Sequence, residues 1–150
     1  MLRNLAMDKQ LSARFVDSGV LLKLVQVAAL FCGHEELILN VVRVLSKMSL
    51  HRPCIDQLHA NLGELLMQAL WEAVKVHREN TAILIRVTFI FANFTTFFPD
   101  VRLQLARELG VLPFLLETLQ FYLSKSLSGE TETKPVYQAK SKKHQEFNFG

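Results

Sequence analysis

Turn-forming residues recur along this chain at a spacing in the forties. Gly19, Asn61 and Gly110 stand 42 and 49 residues apart, each between two runs of helical apolar spacing. A second set, Asn4, Lys47 and Asn93, stands 43 and 46 apart. Glycine, and after it asparagine, adopts the left-handed conformation that ends one helix and lets the next begin. A period of this length implies stacked helical units, each needing its neighbours to bury its apolar faces. The expected unit is a short helix, a turn, a medium helix and a long buried helix.

The apolar spacing within the runs is helical throughout. In residues 34–50, Leu37, Val41, Val44, Leu45 and Met48 form one stripe, widened by Ile38 and Val42, and Asn40, Arg43 and Lys47 form a narrow polar one. Residues 62–76 place Glu64, Gln68, Glu72 and Lys75 on a wet face and Leu65, Leu66, Ala69, Leu70, Ala73 and Val74 on a dry one. Residues 20–31 are expected to bury Leu21, Leu24, Val27, Ala28 and Phe31, and residues 111–124 to turn Leu112, Leu115, Leu116 and Leu119 inward. The run from Ile83 to Phe98 reads as a helix buried on most sides, its phenylalanines packing between neighbouring units. Pro53 and Pro99 each open a helical run, where a missing N–H costs nothing. Asn61 is expected to take the left-handed place that Gly19 and Gly110 take elsewhere.

Composition narrows the functional classes. Half of the 150 residues are hydrophobic and 21% are charged, which is ample for a core and excludes a wholly disordered chain. The net charge is +3, but residues 1–123 hold 12 basic and 11 acidic residues and residues 124–150 hold 5 and 3. A body near neutrality lacks the field that nucleic acid binding requires, so no nucleic acid partner is expected. The longest apolar stretch is 16 residues and contains Arg86 and Asn93, so no membrane span is expected. Two cysteines, Cys32 and Cys54, make no disulfide framework and read as reduced thiols of a cytoplasmic protein.

The motifs at the junctions carry a resemblance. GVLPFLLETL at Gly110–Leu119 and VDSGVLLKLV at Val16–Val25 resemble the start of the second helix of an armadillo repeat, G-a-I-P-x-L-v-x-L-L. LRNLAMD at Leu2–Asp8 and IFANFTT at Ile90–Thr96 resemble the L-x-N-L-a end of its third helix, and LSKMSLH at Leu45–His51 does so with Lys47 in place of Asn. The resemblance implies an all-α, right-handed solenoid of three-helix armadillo repeats over residues 1–124, about two full repeats flanked by partial ones. Residues 125–150 are expected to be a disordered polar, basic tail, where the resembling family inserts a loop. ILNVVRVLSKMS, IRVTFIFANFT and KPV at Lys134–Val136 resemble more narrowly a branch associated with assembly of motile cilia and sperm flagella.

Armadillo third helices line a concave groove, where asparagines hold the main chain of an extended peptide. The positions in phase here are Asn4, Asn40, Arg43, Lys47, Arg86 and Asn93. A carboxamide both donates and accepts, whereas the Lys47 ammonium only donates. Asn93, Arg86, Arg43 and Lys47 are expected to act on binding and leave folding alone. The function so implied is a non-enzymatic scaffold or adaptor that holds axonemal or ciliary-transport proteins, in the cytoplasm and the cilium or flagellum. The alternative is an armadillo module binding acidic linear peptides in transport or signalling. End-to-end self-association through exposed repeat faces is also expected. No G-x-S-x-G, Walker loop or G-x-G-x-x-G occurs, and the acidic residues are scattered over wet helix faces, so no enzyme activity and no cofactor are expected. His51, Cys54 and His59 lack a second pair at zinc-site spacing, so no metal is expected.

Overall fold

The computed structural model describes residues 12–127. They are all-α: α1 (Ser12–Asp17), α2 (Val20–Leu30), α3 (Glu35–Met48), α4 (Arg52–Val76), α5 (Thr81–Phe97), α6 (Pro99–Leu103), which runs into a π-helical turn (Gln104–Glu108), and α7 (Val111–Leu127). Residues 12–114 fall in one compact unit and 115–127 in another. No helix among the described residues is long and apolar enough to cross a membrane.

The punctuation works as its chemistry dictates, with one exception. Gly19 (φ 68°) and Gly110 (φ 65°) are left-handed and separate α1 from α2 and the π turn from α7. Pro53 sits in the first turn of α4 and Pro99 begins α6, 46 residues later. Asn61 is not left-handed; no non-glycine residue among those described has positive φ. Its Nδ2 donates to the carbonyl of Gln57, four residues back, at 2.8 Å, as a helical residue's side chain can. The break in α4 falls at Leu62, which leaves the helix with φ −143° and ψ 25°, a conformation open to any residue. Gly63 follows it, buried, where a Cβ would stand 3.3 Å from the His59 ring. The two halves of α4 thus take the places of α1 and α2.

α3 and α5 are copies of one element. Both start from an N-cap whose side chain accepts backbone N–H groups, His34 and Asn80, 46 residues apart. Val41, Val44, Leu45 and Met48 are buried, and so are Val87, Ile90, Phe91 and Phe94, each 46 residues further on. Gln57 fastens α4 to the turn before α2, its Nε2 donating to the carbonyl of Val16 at 2.8 Å. Trp71 on α4 meets the ring of Phe114 edge-on, centroids 5.1 Å apart.

Three expected faces are corrected. In α2, Val25 is buried with Leu21 and Ala28, Leu24 and Val27 are half-buried, and Phe31 lies beyond the helix end, exposed. α5 is not buried on most sides: Ile85, Phe89 and Phe97 are exposed. In α7, Leu112, Leu116 and Leu119 are exposed and Leu115 is half-buried; of the apolar residues there, Val111 is buried. The stripe is present in the sequence, but a stripe dictates only which residues share a face, not that a neighbour covers it. Leu65, on the expected dry face of α4, is also open at its edge.

Candidate partner-binding surface

The long helices α3 and α5 carry the candidate residues because their buried stripes fix the opposite phase. Asn40, Arg43 and Lys47 follow on α3 at i, i+3 and i+7, one above the other. Asn40 is exposed, and Arg43 and Lys47 are half-buried. Asn40 and Arg43 are in direct contact: Arg43 Nη1 donates to Asn40 Oδ1 at 3.3 Å, while Asn40 Nδ2 donates to the carbonyl of Glu36 at 3.0 Å. The Asn40 carboxamide therefore orients a guanidinium and is itself held by the helix.

Arg86 and Asn93 lie half-buried on α5. Arg86 Nη1 donates to the carbonyl of Ala82 at 2.9 Å. Asn93 Nδ2 donates to Ser49 Oγ at 2.8 Å, and the buried Ser49 hydroxyl donates in turn to the carbonyl of Ser46 at 3.0 Å. Asn93 is thus a tie between α5 and the end of α3, a role that helical spacing within one element does not reveal. At the opposite ends of the same helices Asn80 Nδ2 donates to Glu35 Oε1. Asn4 lies outside the described residues.

A second cluster, at the junction of α4 with α6, has no local sequence signature. His59 stacks on Phe98, ring centroids 3.8 Å apart and nearly parallel, and its Nε2 lies 2.6 Å from Asp100 Oδ2. The hydrogen bond from His59 holds the Asp100 carboxyl below the usual carboxylate range. Arg52 lies over the Phe97 ring at 4.6 Å and pairs with Asp56 at 2.8 Å. His59 and Asp100 are 41 residues apart, so only the packing of the helices brings them together. Neither Cys32 nor Cys54 is in a disulfide; Cys54 is buried, which pushes its thiol pKa up. His77 Nε2 is 2.7 Å from the carbonyl of Cys32. Beside it an open cleft of about 730 Å³ is lined by Glu35 and residues 76–81. No group of three or more His, Cys, Asp or Glu among the described residues could hold a metal ion.

The chain is similar to armadillo repeat-containing protein 2. It is 26% identical to the Homo sapiens protein over 137 residues, 91% of this chain and 15% of that protein. It is 26% identical to the Mus musculus protein over 144 residues, 92% of this chain and 16% of that protein. The chain therefore spans about 15% of the length of these relatives. No protein-family model matches it, and no solved structure does.

Proposed function

We propose that this chain is a non-enzymatic protein-binding scaffold built as a right-handed armadillo solenoid, about two full repeats flanked by partial ones, over residues 1–124. The polar, basic tail of this reading is the sequence after α7, since residues 125–127 still belong to that helix and the rest lies outside the described residues. The observation that carries it is the paired polar register of α3 and α5. Asn40 and Arg86, and Lys47 and Asn93, occupy equivalent positions 46 residues apart on two packed long helices. Arg43, Lys47 and Arg86 make that stripe basic. An extended partner segment with carboxylates fits it, because complementary charge steers binding and excludes cationic competitors.

The similarity to armadillo repeat-containing protein 2 supports a cytoplasmic and ciliary or flagellar setting, with axonemal or ciliary-transport proteins as partners. The basic stripe also supports a second reading, an adaptor for acidic linear peptides in transport or signalling. Titration of the chain with an acidic peptide and with candidate axonemal proteins separates the two. In either case Arg43→Glu combined with Lys47→Glu lowers affinity by at least about tenfold, an effect that shrinks at high salt. Unchanged affinity in that variant would remove the stripe as the binding surface.

A further inference from the structure

The side chains that start α3 and α5 differ in what a proton does to them. His34 and Asn80 are the N-caps of the two helices, 46 residues apart, with similar backbone angles (φ −93°, ψ 95° and φ −84°, ψ 93°). Asn80 Oδ1 accepts from the N–H groups of Ala82 and Ile83 at 3.0 and 3.1 Å. A carboxamide oxygen stays an acceptor whatever the pH near neutrality. His34 Nδ1 accepts from the N–H of Leu37 at 3.3 Å, and Leu37 stands where α5 has Ile83. A backbone N–H only donates, so Nδ1 carries no proton in this contact and the neutral ring holds its proton on Nε2. Imidazole is the side chain that changes charge between about pH 5 and 8, and an imidazolium has no acceptor left. His77, in the turn between α4 and α5, is the opposite case. Its Nε2 lies 2.7 Å from the carbonyl of Cys32, which only accepts, so that ring donates there whether neutral or charged.

The surrounding charges oppose a charged His34 in the cap. An imidazolium there meets the positive end of the α3 dipole. Glu35 and Glu36 follow it in the first turn and draw a cation toward their own side chains. The turn before α5 brings Arg78 and Glu79, next to the Asn80 that donates to Glu35. Of the elements packed on α3, α2 and α5 carry one charged side chain each, Lys23 and Arg86. On α4, Arg52 pairs with Asp56, His59 with Asp100 and Lys75 with Glu72, and Glu64 is exposed. The first turn of α3 also has a polar extension. The carbonyl of Glu36, inside that turn, accepts from Asn40 Nδ2 at 3.0 Å, and Asn40 Oδ1 accepts from Arg43 Nη1 at 3.3 Å. The cap therefore fixes the turn that fixes the carboxamide that orients the guanidinium.

We propose that α3 begins in a proton-sensitive cap: protonation of His34 Nδ1 releases the Leu37 N–H, loosens the first turn and, through the Glu36 carbonyl and Asn40, frees the Arg43 guanidinium. α5 keeps its first turn, because its Asn80 cap does not titrate. Acidification thus changes one of two otherwise equivalent helices. The consequence for a partner rests on the polar stripe being the binding surface proposed above: Arg43 is then a less ordered contact for an acidic segment at low pH. The cap itself does not depend on that reading.

The experiment is amide hydrogen exchange by NMR on the full chain at about pH 7.5 and about pH 5.5, on either side of the range in which imidazole changes charge. Protection at Leu37 is read as a ratio to protection at Ile83, which removes the intrinsic pH dependence of exchange. The ratio should fall about 2–30-fold on acidification, the span of a lost N-cap. The side-chain amide signal of Asn40 should move with the same midpoint as the His34 ring protons. His34→Asn, which copies the Asn80 cap, should hold the ratio constant, and His34→Ala should give the low ratio at both pH values. A constant ratio in the parent overturns the proposal. A fall that persists in His34→Asn also overturns it, since the titrating group would then lie elsewhere. So does an Asn40 amide that stays still while Leu37 responds, because the turn would then be uncoupled from Arg43. None of these readouts uses a partner, so failure of the stripe as a binding surface, read by peptide titration at one pH, leaves them unchanged.

Discussion

Asn93 stands in phase with the partner-facing positions of the stripe, yet its amide N–H is spent on Ser49 Oγ at 2.8 Å. The expectation that its removal leaves folding untouched does not survive that contact. Asn93→Ala strips the buried Ser49 oxygen of its donor and should cost about 1–3 kcal/mol of stability. Urea denaturation measures this; an unchanged midpoint would show the tie to be dispensable. Arg43, whose side-chain contact is to the exposed Asn40 on its own helix, is therefore the cleaner residue on which to read binding apart from stability. A second residue-scale consequence concerns pH. Asp100 titrates below its unfolded value, about 3.9, chiefly because His59 hydrogen-bonds it. Its stabilising contribution is present above that unfolded value and is lost as pH falls through the lower folded one. Asp100 is mostly exposed, so the effect is small. Between pH 5 and pH 3, on the order of the carboxylate range, the melting temperature of Asp100→Asn should fall less than that of the parent. Parallel curves by circular dichroism would leave the His59–Asp100 contact without energetic weight.

Within single helices, much of the architecture was legible. Pro53 and Pro99 mark starts, Gly19 and Gly110 mark breaks, and the inward residues of α3 are those of its apolar stripe. These features depend on backbone chemistry within a few residues of one another. The break at Leu62 was misplaced by one residue because nothing in its side chain distinguishes it from a helical leucine. The open faces of α5 and α7 were not legible, since coverage depends on neighbours and not on the stripe itself. The legible part makes a direct prediction. Leu45 and Ile90 are both 1% exposed within the buried stripes of the two long helices, so replacing either with Ala should cost about 2–5 kcal/mol. Glu64→Ala or Glu72→Ala on the wet face of α4 should stay within about 0.5 kcal/mol, even though Lys75 pairs with Glu72 at 2.6 Å. Equal costs for the two classes would mean that the faces are misassigned. The Cys54 thiol, buried and with its pKa raised, should resist alkylation until α4 opens, whereas the half-buried Cys32 reacts first. Mass-resolved iodoacetamide labelling in rising urea reports that order, and simultaneous labelling would contradict it.

The candidate surfaces divide by what a sequence can encode over distance. The polar register of Asn40, Arg43, Lys47, Arg86 and Asn93 was visible because a period in the forties connects equivalent positions. The Asn93–Ser49 tie and the His59–Asp100 contact were not, because each joins residues on different helices that share no local pattern. The molecule also exposes more aliphatic surface than its periodicity suggested. In α7, Leu112, Leu116, Leu119 and Leu123 follow at i, i+4, i+7 and i+11, one face, and every one is more than half exposed. Contiguous apolar surface of this kind promotes association, since burying it removes it from water whatever the partner. The chain should therefore self-associate with rising concentration. Replacing Leu116 with Lys and Leu119 with Gln should raise the concentration at which it remains monodisperse. The same pair should leave the unfolding free energy within about 0.5 kcal/mol per site, because exposed side chains contribute little to packing. Sedimentation velocity across a concentration series, with melting curves alongside, separates the two effects. Retained association together with a lowered melting temperature would show that these leucines support the fold, and that the association arises on another surface.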